Sequence, residues 1–330
     1  MKLLTTLKGM FTSSALLVGA ALSPFTLFAQ TAANFPNKPI HIVVPFAAGT
    51  TTDQAARYIG QKITEQTKQS VIIENKAGAN GFIGMQYLLQ QPADGYYITI
   101  GTVTTHSANL AFFKKLPYDP VGDFVPLSGV TIGGVVLAVS PSNPANNVQD
   151  LIAQAKKNPG KLTFGSGNSS SRSGGEILKD LAGINIMHVP YKALPSAITD
   201  LIGNQIDMVF GDGPAVLPLI RAGKLKALGV STVGRMPSAE DIPTIAEQGV
   251  KGYESTGWLA AFAPKGTPPD VAAKLSKMIA DIMSTPDAEK FFLSNAWKPI
   301  PMTGPELAAF QKADILRWQR MVKSAGIEPE

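Results

Sequence analysis

The chain has 330 residues, 45% of them apolar and 16% charged, with a formal net charge of +5. That length and balance suit a folded globular protein with room for two domains and exclude an intrinsically disordered one. The absence of cysteine excludes disulfides, a lipid-anchored cysteine, thiolate nucleophiles and thiolate metal sites.

The first residues read as a secretory signal peptide. Lys2 and Lys8 form a basic start, 15–22 an apolar stretch, and Leu27-Phe28-Ala29 a small-residue cleavage site, so residues 1–29 are expected to be removed near Ala29. No twin-arginine pair is present, which favours general secretion. Losing the two lysines lowers the charge from +5 to +3, and that excess is spread out, unlike the basic runs of a nucleic-acid binder. No later apolar run approaches the roughly 20 residues of a membrane span. The three histidines, His41, His106 and His188, lack metal-ligand spacing, so neither a metal nor a cofactor is expected.

After a linker over 31–37, an apolar strand at 40–44 ends in Pro45-Phe46-Ala47-Ala48-Gly49-Thr50-Thr51-Thr52-Asp53. The helix that follows, 54–68, has Ala55, Ala56, Ile59 and Ile63 on one face. A strand ending in small and hydroxyl residues and opening a helix presents free N–H groups at the helix's positive end, which favours carboxylate or phosphate. The same residues also fit a βα turn in which Gly49 relieves strain and Thr51 to Asp53 cap the helix. Asp53 is assigned to capping, because its charge would repel an anion.

A strand at 71–74 leads to Gly78-Ala79-Asn80-Gly81-Phe82-Ile83-Gly84, a spacing found in some dinucleotide-binding proteins. Here Glu74, Asn75 and Lys76 separate the glycines from their strand, and no acidic residue follows the next strand to hold a ribose. The segment is therefore read as a packing loop. The strand at 97–101 ends in a second hydroxyl-rich loop, Thr102-Val103-Thr104-Thr105-His106-Ser107, and prolines make 116–124 irregular.

The βα rhythm restarts at 135. Strands are expected at 135–139, 162–165, 186–189, 206–210 and 225–230, with helices at 148–157, 195–202 and 214–221. A third loop, Ser166-Gly167-Asn168-Ser169-Ser170-Ser171-Arg172, leads into a helix, and Ser173 with Glu176 has capping-box spacing. Arg172, among small polar residues at a strand end, fits two readings: gripping a carboxylate through its two-pronged guanidinium, which is favoured, or standing solvated at the surface. His188 reads as structural. Asp212 either caps the helix at Pro214 or accepts a ligand hydroxyl or amino donor. The segment 252–264 is apolar enough to return to the first block, and helices at 269–283, 288–296 and 305–324 close the chain.

Strands alternating with helices imply an α/β fold of mainly parallel sheets flanked by helices. Two such blocks suggest two lobes around a cleft, one of 30–131 with 253–330 and the other of 132–252. Ligands in open α/β sheets lie at the C-terminal ends of strands, where every hydroxyl-rich loop here falls. The candidate ligand residues are Phe46, Ala47, Ala48, Gly49, Thr50, Thr51, Thr52, Thr102, Thr104, His106, Ser166, Gly167, Asn168, Ser169, Ser170, Arg172, Tyr191 and Asp212, with Asp53 and Ser173 in structural capping roles.

Pro36-Asn37-Lys38-Pro39-Ile40, the 45–53 loop, Ile73-Glu74-Asn75-Lys76-Ala77-Gly78, Pro92-Ala93-Asp94-Gly95-Tyr96, Leu116-Pro117-Tyr118-Asp119-Pro120, Arg221-Ala222-Gly223-Lys224-Leu225 and Phe262-Ala263-Pro264 occur in that order. The series resembles the Bug/TctC family of periplasmic solute-binding proteins associated with tripartite tricarboxylate transporters, across nearly the whole mature chain. The resemblance implies a two-lobed periplasmic binding protein of the Venus-flytrap kind, closing on small carboxylates in its interlobe cleft. It implies that the 45–53 loop binds a ligand carboxylate through main-chain groups and bridging waters, and that 102–107 and 166–172 complete the pocket. The sequence departs from the family pattern at Ala48-Gly49-Thr50, commonly Pro-Gly-Gly, and at Arg172, where histidine is common. An extra cation favours a second carboxylate on the ligand.

The expected function is an exported, monomeric receptor that delivers a small organic acid to the membrane subunits of such a transporter. The acid is expected to be a dicarboxylate, aliphatic of C4–C6 or aromatic of the phthalate type. Two alternatives stay open: an exported hydrolase using a serine of 166–173, against which the missing nucleophile elbow counts, and a receptor serving a signalling system.

Overall fold

The computed structural model describes residues 34–324 and 326–330; the signal-peptide expectation for 1–29 lies outside them. The fold is α/β and two-lobed, and its sheets meet through one strand. β1 (Ile40–Val44) has four of its five side chains fully buried and pairs in parallel with β2 (Val71–Asn75) and β3 (Tyr97–Thr102). β3 continues antiparallel to β9 (Thr256–Pro264), and β9 to the first part of β4 (Phe124–Val139). The short β10 (Trp297–Pro299) adds to β4.

Helices cover both faces of this first sheet. On one side α1 (Thr51–Thr67) contributes Ala55, Ile59 and Ile63 to a core shared with Val271, Leu275 and Ile279 of α8 (Pro269–Met283) and Phe292 of α9 (Pro286–Ser294). On the other, α2 (Phe82–Leu89), α3 (Asn109–Phe112) and α10 (Gly304–Ser324) pack Met85, Phe112 and Trp318.

β4 is sixteen residues long and serves both sheets. From Val135 its partners change to β7 (Met208–Asp212) and β8 (Lys226–Val230), both antiparallel. β5 (Thr163–Ser166) then pairs in parallel with β7 and with β6 (Met187–Pro190). α4 (Val148–Lys157) and α5 (Ser169–Ala182) bury Leu151, Ile152 and Leu178 on one face of this second sheet. α6 (Leu194–Ile202) and α7 (Gly213–Arg221) bury Ala197, Leu201 and Val216 on the other. The two βαβ runs are thus parallel, as expected, while the strands that join them are antiparallel.

The chain passes between the sheets within β4, at Gly134 and Val135, and again just before β9. Ser231 ties the two passages together: its N–H donates to the Val135 carbonyl, its hydroxyl accepts from the Val135 N–H, and its carbonyl accepts from the Ser255 N–H.

Several boundaries differ from expectation. β4 begins at Phe124, not 135. Pro126, which argues against a strand, sits where the pairing with β9 shifts register, so its missing N–H removes no regular ladder bond. α1 starts at Thr51, and α5 at Ser169 inside what reads as a loop. The second hydroxyl loop is a buried π-helical turn, Thr104–Ala108. Among the described residues, no helix is long and apolar enough to cross a membrane.

Candidate ligand-binding cleft

The turn after β1 is held from beneath. Thr50 is the N-cap of α1, its hydroxyl accepting from the Asp53 N–H at 3.4 Å. Asp53 is the third helical residue. Its carboxylate accepts from the Gly49 N–H at 2.9 Å, from Arg57 at 3.0 Å and from the Asn75 amide at 3.0 Å, and the same amide also bonds the Phe46 carbonyl. Burial alone would raise the Asp53 pKa, but the bonds from Arg57, Gly49 and Asn75 outweigh it and hold the carboxyl below its usual value. Gly49 has φ +83°, a left-handed conformation costly for other residues. With Thr50 occupied by the cap, the N–H groups of Thr51 and Thr52 are the open donors at the positive end of α1.

Four helix beginnings face one cavity. Its wall carries Thr50, Thr51 and Thr52 of α1; Asn168 and Ser170 of α5; Ala193, Leu194 and Pro195 of α6; and Asp212 and Ala215 of α7. Asn168 and Ser171 cap α5 reciprocally: the Asn168 side chain accepts from the Ser171 N–H at 2.8 Å, and the Ser171 hydroxyl accepts from the Asn168 N–H at 3.2 Å. Thr102 and Thr104 add hydroxyls from the end of β3, and Phe46, Ala47, Gly49 and Gly167 complete the expected part of the lining. The floor is apolar: Trp258, Leu259 and Trp297. Trp258 is fixed by its Nε1–H donating to Asp314 at 2.7 Å. The cavity is about 70 Å³.

Among the described residues lining this wall, two side chains are ionisable. Lys192 is exposed at its rim. Asp212 ends β7, and burial pushes its carboxyl up to about 6, with the neighbouring Thr51 hydroxyl counteracting part of the rise. It precedes α7 without making a side-chain cap bond, so the capping reading does not describe it. Among the described residues, no cluster of histidine and acidic side chains is arranged to hold a metal ion.

Six expected ligand residues lie off the wall. Ala48 is exposed at the loop tip. His106 is fully buried, stacked on Phe262 at 3.9 Å and bonded to the Thr105 hydroxyl at 2.8 Å. Ser169 donates to Asn109 at 2.8 Å and Tyr191 to Asp200 at 2.7 Å. Ser166 is buried against His188, 2.6 Å away. Arg172 turns from the cavity to Glu330 at 2.6 Å, with its guanidinium over the Phe112 ring, so the expected carboxylate grip is corrected to a tether between α5 and the chain's last residue. Ser173 is corrected as well: it lies in the second turn of α5 and donates to the Ser170 carbonyl, while Asn168 is the cap.

The wall also holds residues that were not expected there. Lys192 to Pro195 follow β6, and the reasoning that strand ends open on the cleft applies to them equally. Ala77, Gly78, Asn80 and Gly81 follow β2. The glycine segment does pack: a side chain at Gly84 would meet the Pro45 Cα at 2.7 Å, so α2 begins pressed against the 45–53 turn. Trp297 comes from β10, which no local pattern announces.

The model of the tripartite tricarboxylate transporter family receptor matches residues 55–327. The chain belongs to that family. Three solved structures resemble it closely. Rpa4515 of R. palustris, with adipate, is 33% identical with TM-score 0.87, over 90% of this chain and 100% of that one. The periplasmic binding protein BugD is 30% identical with TM-score 0.84, over 90% and 100%. MatC of Rhodopseudomonas palustris, with bound malate, is 28% identical with TM-score 0.80, over 87% and 100%. This Bug/TctC chain is accordingly a solute-binding receptor and not an enzyme, which sets aside the hydrolase alternative despite the Ser166–His188 contact.

Proposed function

We propose that the protein is a monomeric periplasmic receptor that captures a small dicarboxylate, aliphatic of C4–C6 or aromatic of the phthalate type, and presents it to the membrane subunits of a tripartite tricarboxylate-type transporter. One observation carries the reading: helix N-termini from both sheets converge on a single small cavity with a lysine at its rim. Adipate in Rpa4515 and malate in MatC support the ligand class. The lobe limits, 30–131 with 253–330 and 132–252, belong to the same reading. On it the lobes close about the passages at β4 and β9, and closure is what the membrane subunits sense.

Magnitudes favour a site shared between lobes. Micromolar binding needs about 8 kcal/mol. One helix end contributes about 0.3–1 kcal/mol, up to about 2 when partly buried. A hydrogen bond to a charged group adds about 1.5–3 kcal/mol, and association and ordering cost several. No one turn suffices, whereas donors from α1, α5, α6 and α7 acting together do. One carboxylate lies against the N–H groups of Thr51 and Thr52, and Lys192 answers the second.

Calorimetry on the mature protein tests this. Adipate, malate or phthalate is expected to bind, and Lys192→Ala to weaken a diacid by about tenfold or more while sparing a monoacid of equal length. Arg172→Ala is expected to leave ligand affinity within about twofold, since that side chain faces Glu330. Failure of every aliphatic and aromatic diacid to bind or to raise Tm would overturn the reading.

A further inference from the structure

The carboxyl of Asp212 stands on the wall of a cavity whose other polar groups favour anions. It is the only acidic side chain among the described lining residues. It makes no cap bond to α7, although it holds the position where one is usual. Beside it is Thr51, 7% exposed, whose hydroxyl is buried without a hydrogen-bond partner of full geometry. An acidic group facing a bound carboxylate repels it unless a donor lies between them, and a buried polar group left unmatched costs binding energy. Among the described residues, the Thr51 hydroxyl is the one group that acts on this carboxyl, and its remaining acceptor capacity is best matched by a donor on the ligand.

We propose that Asp212 is a specificity-determining residue, accepting a hydrogen bond from a hydroxyl or ammonium carried on the carbon next to the ligand's carboxylate. The receptor then prefers a substituted diacid over a plain one of the same length. The geometry sets the position of that donor. Thr51 supplies an open N–H at the start of α1 and its hydroxyl also abuts Asp212, which brings the donor near the carboxylate. Asp212 comes from β7 and Thr51 from α1, on different sheets, so the substituent is read only where the two lobes meet. A carboxyl held up to about 6 by burial is consistent with an acceptor awaiting its donor.

The proposal rests on the reading of the cavity as a carboxylate site, and one set of titrations separates the two. Calorimetry at pH 7.5 compares succinate, malate and aspartate, all of four carbons, on wild type, Asp212→Ala and Asp212→Asn. Wild type is expected to bind malate or aspartate at least about tenfold tighter than succinate, the discrimination a bond to a charged group gives. Asp212→Ala is expected to erase that preference, bringing the ratio of malate or aspartate affinity to succinate affinity to within about twofold of one. Asp212→Asn, which keeps a carbonyl acceptor but loses the charge, is expected to retain the preference for malate if the donor is a hydroxyl, and to lose the preference for aspartate if it is an ammonium. Thermal melts of both variants control for folding. Equal affinity of wild type for succinate and for both substituted acids overturns the proposal and leaves the carboxylate site standing, as does an equal loss of all three in Asp212→Ala. Binding of none of these acids, nor of adipate or phthalate, overturns both.

Discussion

His106 and Asp212 pull the receptor's pH dependence in opposite directions. Burial lowers His106 from 6.5 to about 3. A histidine held below its unfolded value is protonated more readily when unfolded, so its contribution to stability is whole above pH 6.5 and is lost as pH falls toward 3. Asp212 is held above its unfolded 3.8, so its contribution is whole at low pH and fades as pH rises through about 6. His188, lowered to about 4 chiefly by burial and then by Arg172, adds to the first effect. Melting temperature is therefore expected to fall between pH 6.5 and 4, and His106→Phe to flatten that slope. The new ring would keep the stack on Phe262, and Thr105 would keep its bonds to Thr102. A slope unchanged in His106→Phe would assign the acid sensitivity elsewhere. Arg172 illustrates what a linear sequence hides at this scale. A charge among hydroxyls at a strand end reads as a clamp, but α5 starts at Ser169. Two residues along a helix are about 200° around its axis, so with Ser170 on the cavity wall Arg172 faces away.

Among the elements, the turn at 45–53 and α1 behave as one part. Asp53 is 3% exposed and joins Gly49, Arg57 and Asn75, so the turn keeps its shape without a ligand. Its depressed pKa makes its contribution whole above its unfolded value and lost as pH falls through the folded one. Asp53→Asn is expected to lower Tm and weaken a carboxylate ligand together, because the amide cannot satisfy all three donors. A variant that bound anions more tightly at unchanged Tm would contradict this. Elements governed by local pattern were legible in advance: the apolar run of β1, the one-sided face of α1 and the helices at 269–283 and 305–324. Those fixed by distant partners were not. The first half of β4 contains Pro126 and exists because β9 pairs beside it, and β10 is three residues held by β4. Three of the four helix ends on the cavity wall follow strands whose terminal loops carry clustered hydroxyls or Asp212. The fourth, at Lys192 to Pro195, lacks hydroxyls, and of its surroundings only Tyr191 stands among the candidate residues.

At the scale of the whole molecule, α5 meets the rest of the chain at several points beyond the cavity. Ser169 bonds Asn109, Arg172 meets Glu330, and Glu330 is itself pinned by backbone bonds to Phe112 and Lys114. The ion pair is largely exposed on its Glu330 side and adds little strength. The firmer link between α5 and α3 is the buried Ser169–Asn109 bond.

β4 has a further consequence, for how the molecule comes apart. Its sixteen residues lend Leu127 and Val130 to one hydrophobic core and Val135, Leu137 and Val139 to another. A strand cannot leave one sheet and remain intact in the other without fraying at Gly134, where an added side chain would meet Ser231 and Thr232. The two cores should consequently melt as a single cooperative unit despite their size. Calorimetry of the ligand-free mature protein is expected to give one transition with matching calorimetric and van't Hoff enthalpies. Two resolved transitions would mean that the shared strand does not couple them.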